Sequence, residues 1–242
     1  MDYNILKDEC VEWIRNWFAA NGPECRAVLG MSGGKDSTVA AALCARALGK
    51  DRVVGVAMPA EGQSLNDADE ICRHLGIRYI CAPIGDILAS FGGVSACLGE
   101  GFSNQSEQNI PPRVRMTVLY AIAQTLNGRV VNTCNLSEDW IGYATRWGDS
   151  AGDFCPLGGL VVQEIRGIGH AMGLPSRWVD KTPDDGLPHS CSDEQKFGFT
   201  YEVLDRYIRT GVCEDEEIRK KIDRMHERNL FKMRMPDSFG IE

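Results

Sequence analysis

One feature limits this chain most: the apolar run Arg26 to Gly30 breaks into Met31-Ser32-Gly33-Gly34-Lys35-Asp36-Ser37-Thr38. Such a run reads as a buried strand entering a tight turn. The alanine-rich stretch after it, with Val39, Leu43 and Ala47 on one face and Gly49 as the stop, predicts a helix over Ser37 to Leu48. In a parallel sheet this arrangement puts the turn at the carboxyl edge, where ligands bind. Glycines let the backbone come close to an anion, and the free N–H groups of a helix start favour one. Ser32, Ser37 and Thr38 add hydroxyls and Lys35 adds charge, so the turn reads as a phosphate-binding device. It matches neither the P-loop pattern G-x-x-x-x-G-K-S/T nor the dinucleotide fingerprint G-x-G-x-x-G. Asp36 would repel phosphates unless a divalent cation lay between them, which points to Mg²⁺.

The strand–helix alternation continues. Arg52 to Met58, ended by Pro59, predicts a second strand, and Ser64-Leu65-Asn66-Asp67 starts a helix with Ala68, Ile71, Cys72 and Leu75 on one face. Ile77 to Ala82 predicts a third strand and Arg129 to Thr133 a fourth. This order predicts an α/β fold, a doubly wound parallel sheet flanked by helices with right-handed crossovers. Before the first strand, Leu6, Cys10, Trp13, Ile14 and Trp17 lie at helical spacing in residues 5–18. Residues 99–110 read as a polar surface loop, with Pro111-Pro112 opening a helix that runs to Leu126. Residues 135–156 have the Gly, Asp, Trp and Ser content of a shaped functional loop, and Leu157 to Met172 predict a further helix. A polar loop over 181–192 and helices over 199–210 and 215–233 complete the chain. There is no internal repeat and no clear linker. A single domain over 1–242 is expected, with a loop-containing core of about 22–180 and a C-terminal helical part of about 190–235.

Composition narrows the function. The 242 residues suffice for one α/β domain, and the net charge of −8 gives no basic surplus for gripping nucleic acid. No apolar run reaches the roughly 20 residues that span a bilayer. Met1-Asp2-Tyr3-Asn4 lacks the basic, then apolar, pattern of a secretion signal, so a cytoplasmic protein with no membrane partner is expected. The ten cysteines include no C-x-x-C pair and read as free thiols, with Cys44, Cys72 and Cys81 at core-like positions. The four histidines have no metal-ligand spacing, and His170 reads as packed or at a rim.

Ser32 to Ser37 resembles the pyrophosphate-binding loop of the N-type ATP pyrophosphatases. Further segments resemble the ammonia-dependent NAD synthetases within that group. They are Asn109-Ile110-Pro111-Pro112-Arg113-Val114-Arg115-Met116, Thr133 to Glu138 running into Gly142 to Asp149, Asp153 to Leu157, Ser192-Asp193-Glu194 and Gly198-Phe199-Thr200-Tyr201. The likeness covers roughly residues 5–236. It implies a Rossmann-like fold of the adenine nucleotide alpha hydrolase type, and a ligase that joins ammonia to deamido-NAD with ATP. It also implies an adenylated intermediate, release of AMP and pyrophosphate, and a homodimer. Glutamine-dependent relatives carry an extra amidase domain that this chain is too short to hold.

Carried over by position, the resemblance implies ATP contacts from Gly30, Met31, Ser32, Gly33, Gly34, Lys35, Asp36, Ser37, Thr133 and Asp184. It implies Mg²⁺ on Asp36 and Glu138, and deamido-NAD contacts from Arg113, Arg146, Asp153 and Lys232. Three positions depart from the family pattern. Val162 replaces a phosphate-contacting lysine, with Lys35 or Arg166 able to supply the charge instead; Asp184 replaces a hydroxyl residue; and Phe231 replaces a histidine. The competing readings are a tRNA-modifying relative, which would want a basic surface, and a nucleotide-binding homologue without turnover.

Overall fold

The computed structural model describes residues 1–60, 66–181 and 192–239. Among them, strands β1 (Arg26–Gly30), β2 (Val53–Ala57), β3 (Arg78–Cys81) and β4 (Gly128–Val130) form one parallel sheet in the order β3-β2-β1-β4. Ala27 is in register with Val53 and with Arg129, so β1, which leads into the glycine loop, sits between two neighbours. Alternation along the strand splits the core. Ala27 and Leu29 face the cluster formed with α1 (Tyr3–Asn21), α2 (Lys35–Leu48) and α3 (Asn66–Leu75), and Val28 faces the opposite one.

That opposite layer holds α4 (Gly85–Leu98) and α5 (Asn104–Thr125), whose Val114, Leu119 and Ala123 pack on Val28, Val54 and Val130. Residues 99–110, expected as a polar loop, hold the first turns of a helix instead. Helix α5 starts at Asn104, where the Ser103 side chain accepts a bond from the Ser106 N–H at 3.2 Å, and Glu107 stands in the first turn. Pro111 and Pro112 therefore lie inside the helix instead of opening it. Interior prolines cost a helix about 3 kcal/mol or more each; the cap and the apolar face of α5 offset that cost. Sequence pattern had left residues 83–98 unassigned, and α4 fills most of them.

The fourth strand ends earlier than expected. Val131 turns to pair with Phe154, and the Asn132 N–H donates to the Phe154 carbonyl at 2.8 Å. The loop predicted over 135–156 contains the short helix α6 (Leu136–Ile141). Helix α7 (Val162–Ala171) is shorter than predicted, and Glu164 accepts from the Val161 N–H at its start. After α8 (Ser176–Val179), a third cluster joins α6 and α7 to α9 (Asp193–Phe197), α10 (Tyr201–Thr210) and α11 (Glu216–Asn229), with a 3₁₀ turn over Leu230–Met233.

Trp17 stacks on Phe154 at 4.5 Å, so α1 uses it in the core, while Trp13 remains 46% exposed. Cys44 and Cys72 are buried as expected, but Cys81 is exposed because β3 is an edge strand. All nine cysteines among the described residues are free thiols. No described helix is long and apolar enough to cross a membrane.

Gly142 closes α6 in the left-handed region (φ +67°), with α11 lying against it. A Cβ there would stand 2.1 Å from Asn229 Cβ, while the Asn229 side chain donates to the Ile141 carbonyl at 3.1 Å. Gly142→Ala is therefore expected to cost about 3 kcal/mol and to lower the thermal midpoint by roughly 6–12 °C. A melting curve within 2 °C of the parent, roughly the shift of one surface substitution, would refute the close approach.

Candidate active site

The phosphate loop follows directly from strand geometry. β1 ends at Gly30, and Gly34 is the N-cap of α2 without a side-chain bond, leaving the first N–H groups of the helix free of side-chain caps. Gly33 has φ +80°, and a Cβ on it would meet Asp67 Cβ at 2.8 Å. Only glycine suits that position. Ser32 Oγ accepts from the Gly34 N–H at 3.2 Å and lies 3.2 Å from Ser37 Oγ. Ser37 and Thr38 also donate to the Gly34 carbonyl, at 3.2 and 2.7 Å. The side chain of Met31 is buried in the core, so its backbone is what it can offer a nucleotide.

Lys35 does not project freely from the loop. It is buried, its Nζ donates to Asp36 Oδ2 at 2.8 Å, and it stands 5.7 Å from the centre of the Tyr201 ring. Burial opposes its charge, yet Asp36 and Glu138 outweigh burial and hold its pKa above the usual lysine value.

The predicted metal ligands are brought together by Asn135. Its Nδ2 donates to Asp36 Oδ1 at 3.3 Å, and its Oδ1 accepts from the Glu138 N–H at 3.0 Å, capping α6. Burial, then the neighbouring Asp36 charge, pushes the Glu138 carboxyl well above the usual range, although Lys35 pulls it down. A buried Glu138 carboxyl raised further by a neighbouring negative charge is what a hard cation would relieve. No group of three or more acidic, His or Cys side chains could hold a metal among the described residues. Two carboxylates completed by water and phosphate oxygens are the usual Mg²⁺ arrangement, so the residues fit that ion. Thr133 stands two residues before Asn135, half-buried beside the loop segment.

A second group gathers the expected dinucleotide contacts. Arg113 Nε donates to the Arg146 carbonyl at 3.3 Å, and Arg146 Nη2 donates to the Arg234 carbonyl at 3.2 Å. The Arg146 guanidinium lies 5.1 Å from the Trp147 ring and 5.5 Å from the Phe231 ring. Trp147 is half exposed and has φ +64°, a strained conformation for an aromatic residue. Lys232 Nζ donates to the carbonyls of Gly142 and Ala144, at 2.8 and 3.3 Å, and so ties the 3₁₀ turn to this loop. Burial lowers the Lys232 pKa, and Asp149 partly restores it.

Asp153 belongs to a different set of contacts. Its carboxylate accepts from the Val130 N–H at 2.7 Å and from the Tyr120 hydroxyl at 3.3 Å, at the end of β4. Asp184, and His189 with it, lie outside the described residues. His170 is exposed and bonds Asp180 at 2.9 Å. Asn135 and Tyr201 fall within the motifs, yet no sequence signal gives either a role. Nothing local reveals that Asn135 bonds a carboxylate 99 residues earlier.

A glycine loop between a strand end and a helix start, with Asn135 tying Asp36 to the start of the helix that bears Glu138, is the arrangement of an α/β nucleotide-binding protein. A profile of the NAD synthase family matches residues 6–239. An NH₃-dependent NAD⁺ synthetase of Archaeoglobus fulgidus is 35% identical, over 98% of this chain and 96% of its own. Among solved structures, an NMN synthetase from Francisella tularensis superposes with a TM-score of 0.89 at 27% identity, each chain covered in full. An NH₃-dependent NAD synthetase from Campylobacter jejuni gives 0.79 at 28% identity, covering 99% of this chain and all of its own. The chain belongs to the NAD synthase family.

The raised Glu138 pKa has a stability consequence. Between the ordinary carboxylate range and the raised value, the folded protein holds a proton that the unfolded chain has lost, so metal-free stability falls as pH rises. Glu138→Gln should flatten the thermal midpoint between about pH 5 and 8, in a range of roughly 2–4 °C per kcal/mol. It should also abolish the stabilisation of the parent by Mg²⁺ with ATP. Parallel melting curves for parent and variant across that range, in the presence of a chelator, would reject the assignment.

Proposed function

We propose that this chain makes NAD from deamido-NAD, ammonia and ATP through an adenylated intermediate, and works as a homodimer in the cytoplasm without nucleic-acid or membrane partners. The single observation that carries the chemistry is the Asn135 bridge from Asp36, just after the glycine loop, to the helix start that bears Glu138. A nicotinate carboxylate is a poor acyl donor. Its oxygen attacks the α-phosphorus of ATP, the bond to pyrophosphate breaks, and a mixed anhydride with AMP results. Ammonia then adds to the acyl carbon, AMP departs, and the proton lost from nitrogen passes to solvent. Family membership and the near-complete alignment with the Archaeoglobus protein support this reading.

In this reading Gly30 to Ser37, with Thr133 and Asp184, bind ATP, and the free N–H groups of α2 orient its phosphates. Mg²⁺ held by Asp36 and Glu138 neutralises phosphate charge when bound. Arg113 and Arg146 bind the anionic groups of deamido-NAD, Lys232 holds their loop in shape, and Asp153 fixes the strand end beneath it. Ile87, Val94 and Leu98, left exposed on α4, supply apolar surface for a second copy.

One observation favours a second acceptor. The Francisella structure that matches over both full lengths is an NMN synthetase, and a nicotinate mononucleotide presents the same carboxylate. Incubation with ATP, Mg²⁺ and ammonium, with either deamido-NAD or nicotinate mononucleotide, separates the two. NAD and AMP forming together, with weak turnover of the mononucleotide, is the expected result; AMP formation with the mononucleotide alone would reassign the acceptor. Asp36→Asn should lower turnover by about 100-fold or more on either acceptor. A monomer by light scattering would remove the dimer from the reading.

A further inference from the structure

Two buried donors behind the loop have no partner. The Tyr201 hydroxyl is buried without a hydrogen-bond partner, although the residue is only 3% exposed. Its ring lies beneath Lys35 Nζ, and Glu138, Asp36 and Asp193 are its charged neighbours. None of these carboxylates takes its proton, and Asp193 is already engaged by the Tyr143 hydroxyl at 2.8 Å and by Lys196 at 3.7 Å. The second donor is Arg166 on α7, whose Nε is buried without a partner among the described residues. Helix α7 lies against α2, with Gly169 facing Val39, and three residues earlier the Arg166 charge acts on Lys35 itself. Two positive charges thus act on each other here, and one guanidinium N–H is left unspent. Buried donors are ordinarily satisfied, and an orphaned one costs about as much as a lost hydrogen bond.

We propose that Tyr201 and Arg166 form a rear wall of the polyphosphate site, donating to the pyrophosphate portion of ATP from α10 and α7 while the loop holds it from β1. In this clamp the loop approaches from the sheet, and the two donors from helices α7 and α10. This rests on the ATP-cleaving reading above and deepens it by naming what holds the leaving group.

Calorimetric titration with inorganic pyrophosphate and Mg²⁺ tests the wall without needing the nicotinate substrate. Tyr201→Phe should weaken pyrophosphate binding roughly tenfold and Arg166→Ala by at least as much. Arg166→Lys, which keeps the charge, should lose less, and deamido-NAD binding measured without ATP should stay unchanged in all three. Because the Tyr201 hydroxyl has no partner, Tyr201→Phe should keep or raise the ligand-free melting midpoint. A phenylalanine variant that melts several degrees lower while binding pyrophosphate like the parent would overturn the proposal. So would unchanged binding in both Arg166 variants. Should the parent bind pyrophosphate yet form no NAD, the acceptor reading fails and the wall stands.

Discussion

The Asn135 side chain is the joint on which the site depends. By donating to Asp36 and accepting from the Glu138 N–H, it fixes the start of α2 relative to the start of α6, two helices that the sheet alone would not hold in register. The result brings the Asp36 charge to bear on the Glu138 carboxyl, which burial and that charge push upward. Lys35, drawn inward onto Asp36, offsets part of that repulsion. The glycine loop above would be a generic anion seat without these groups. With them, it suits an anion that arrives with its own counter-charge.

The helices after the sheet are equally part of the site. α7 and α10 lie behind the loop, while the turn after α11 reaches back through Lys232 to the loop bearing Arg146. Phe231 gives Arg146 an aromatic face where the family pattern has a histidine, and Trp147 gives it another. Both rings stand within cation–π reach of the guanidinium before any ligand arrives, which lowers the ordering cost of binding. Helices α6 and α11 meet at Gly142, where no side chain fits against Asn229.

What could be read from the sequence follows how local each signal is. The strand–glycine–helix unit is contiguous, so its fold was legible from residues 26 to 48, as was the parallel sheet, while the strand order was not. Helix α5 was misplaced because two prolines in tandem outweighed the quieter cap at Ser103, seven residues before Ile110. Helix α4 escaped because Gly92 and Gly93 break its pattern and its apolar residues surround it on all sides. The family resemblance named Asp36, Glu138, Arg113 and Arg146, and those residues do meet in pairs. The pairings between Asn135 and Asp36, Arg146 and Phe231, and Lys35 and Tyr201 join distant segments, and no spacing rule encodes them.

Trp147 places one position of this protein under two opposed selections. Its left-handed backbone favours glycine or asparagine, and either would relieve strain of order 1–3 kcal/mol. Its ring, however, is one of the two surfaces that hold Arg146. A population of variants screened for thermal endurance alone would drift to small residues at this site and lose that surface unnoticed. One screened for catalysis would keep the aromatic and accept the strain, so the residue found at 147 records which demand has been the stronger.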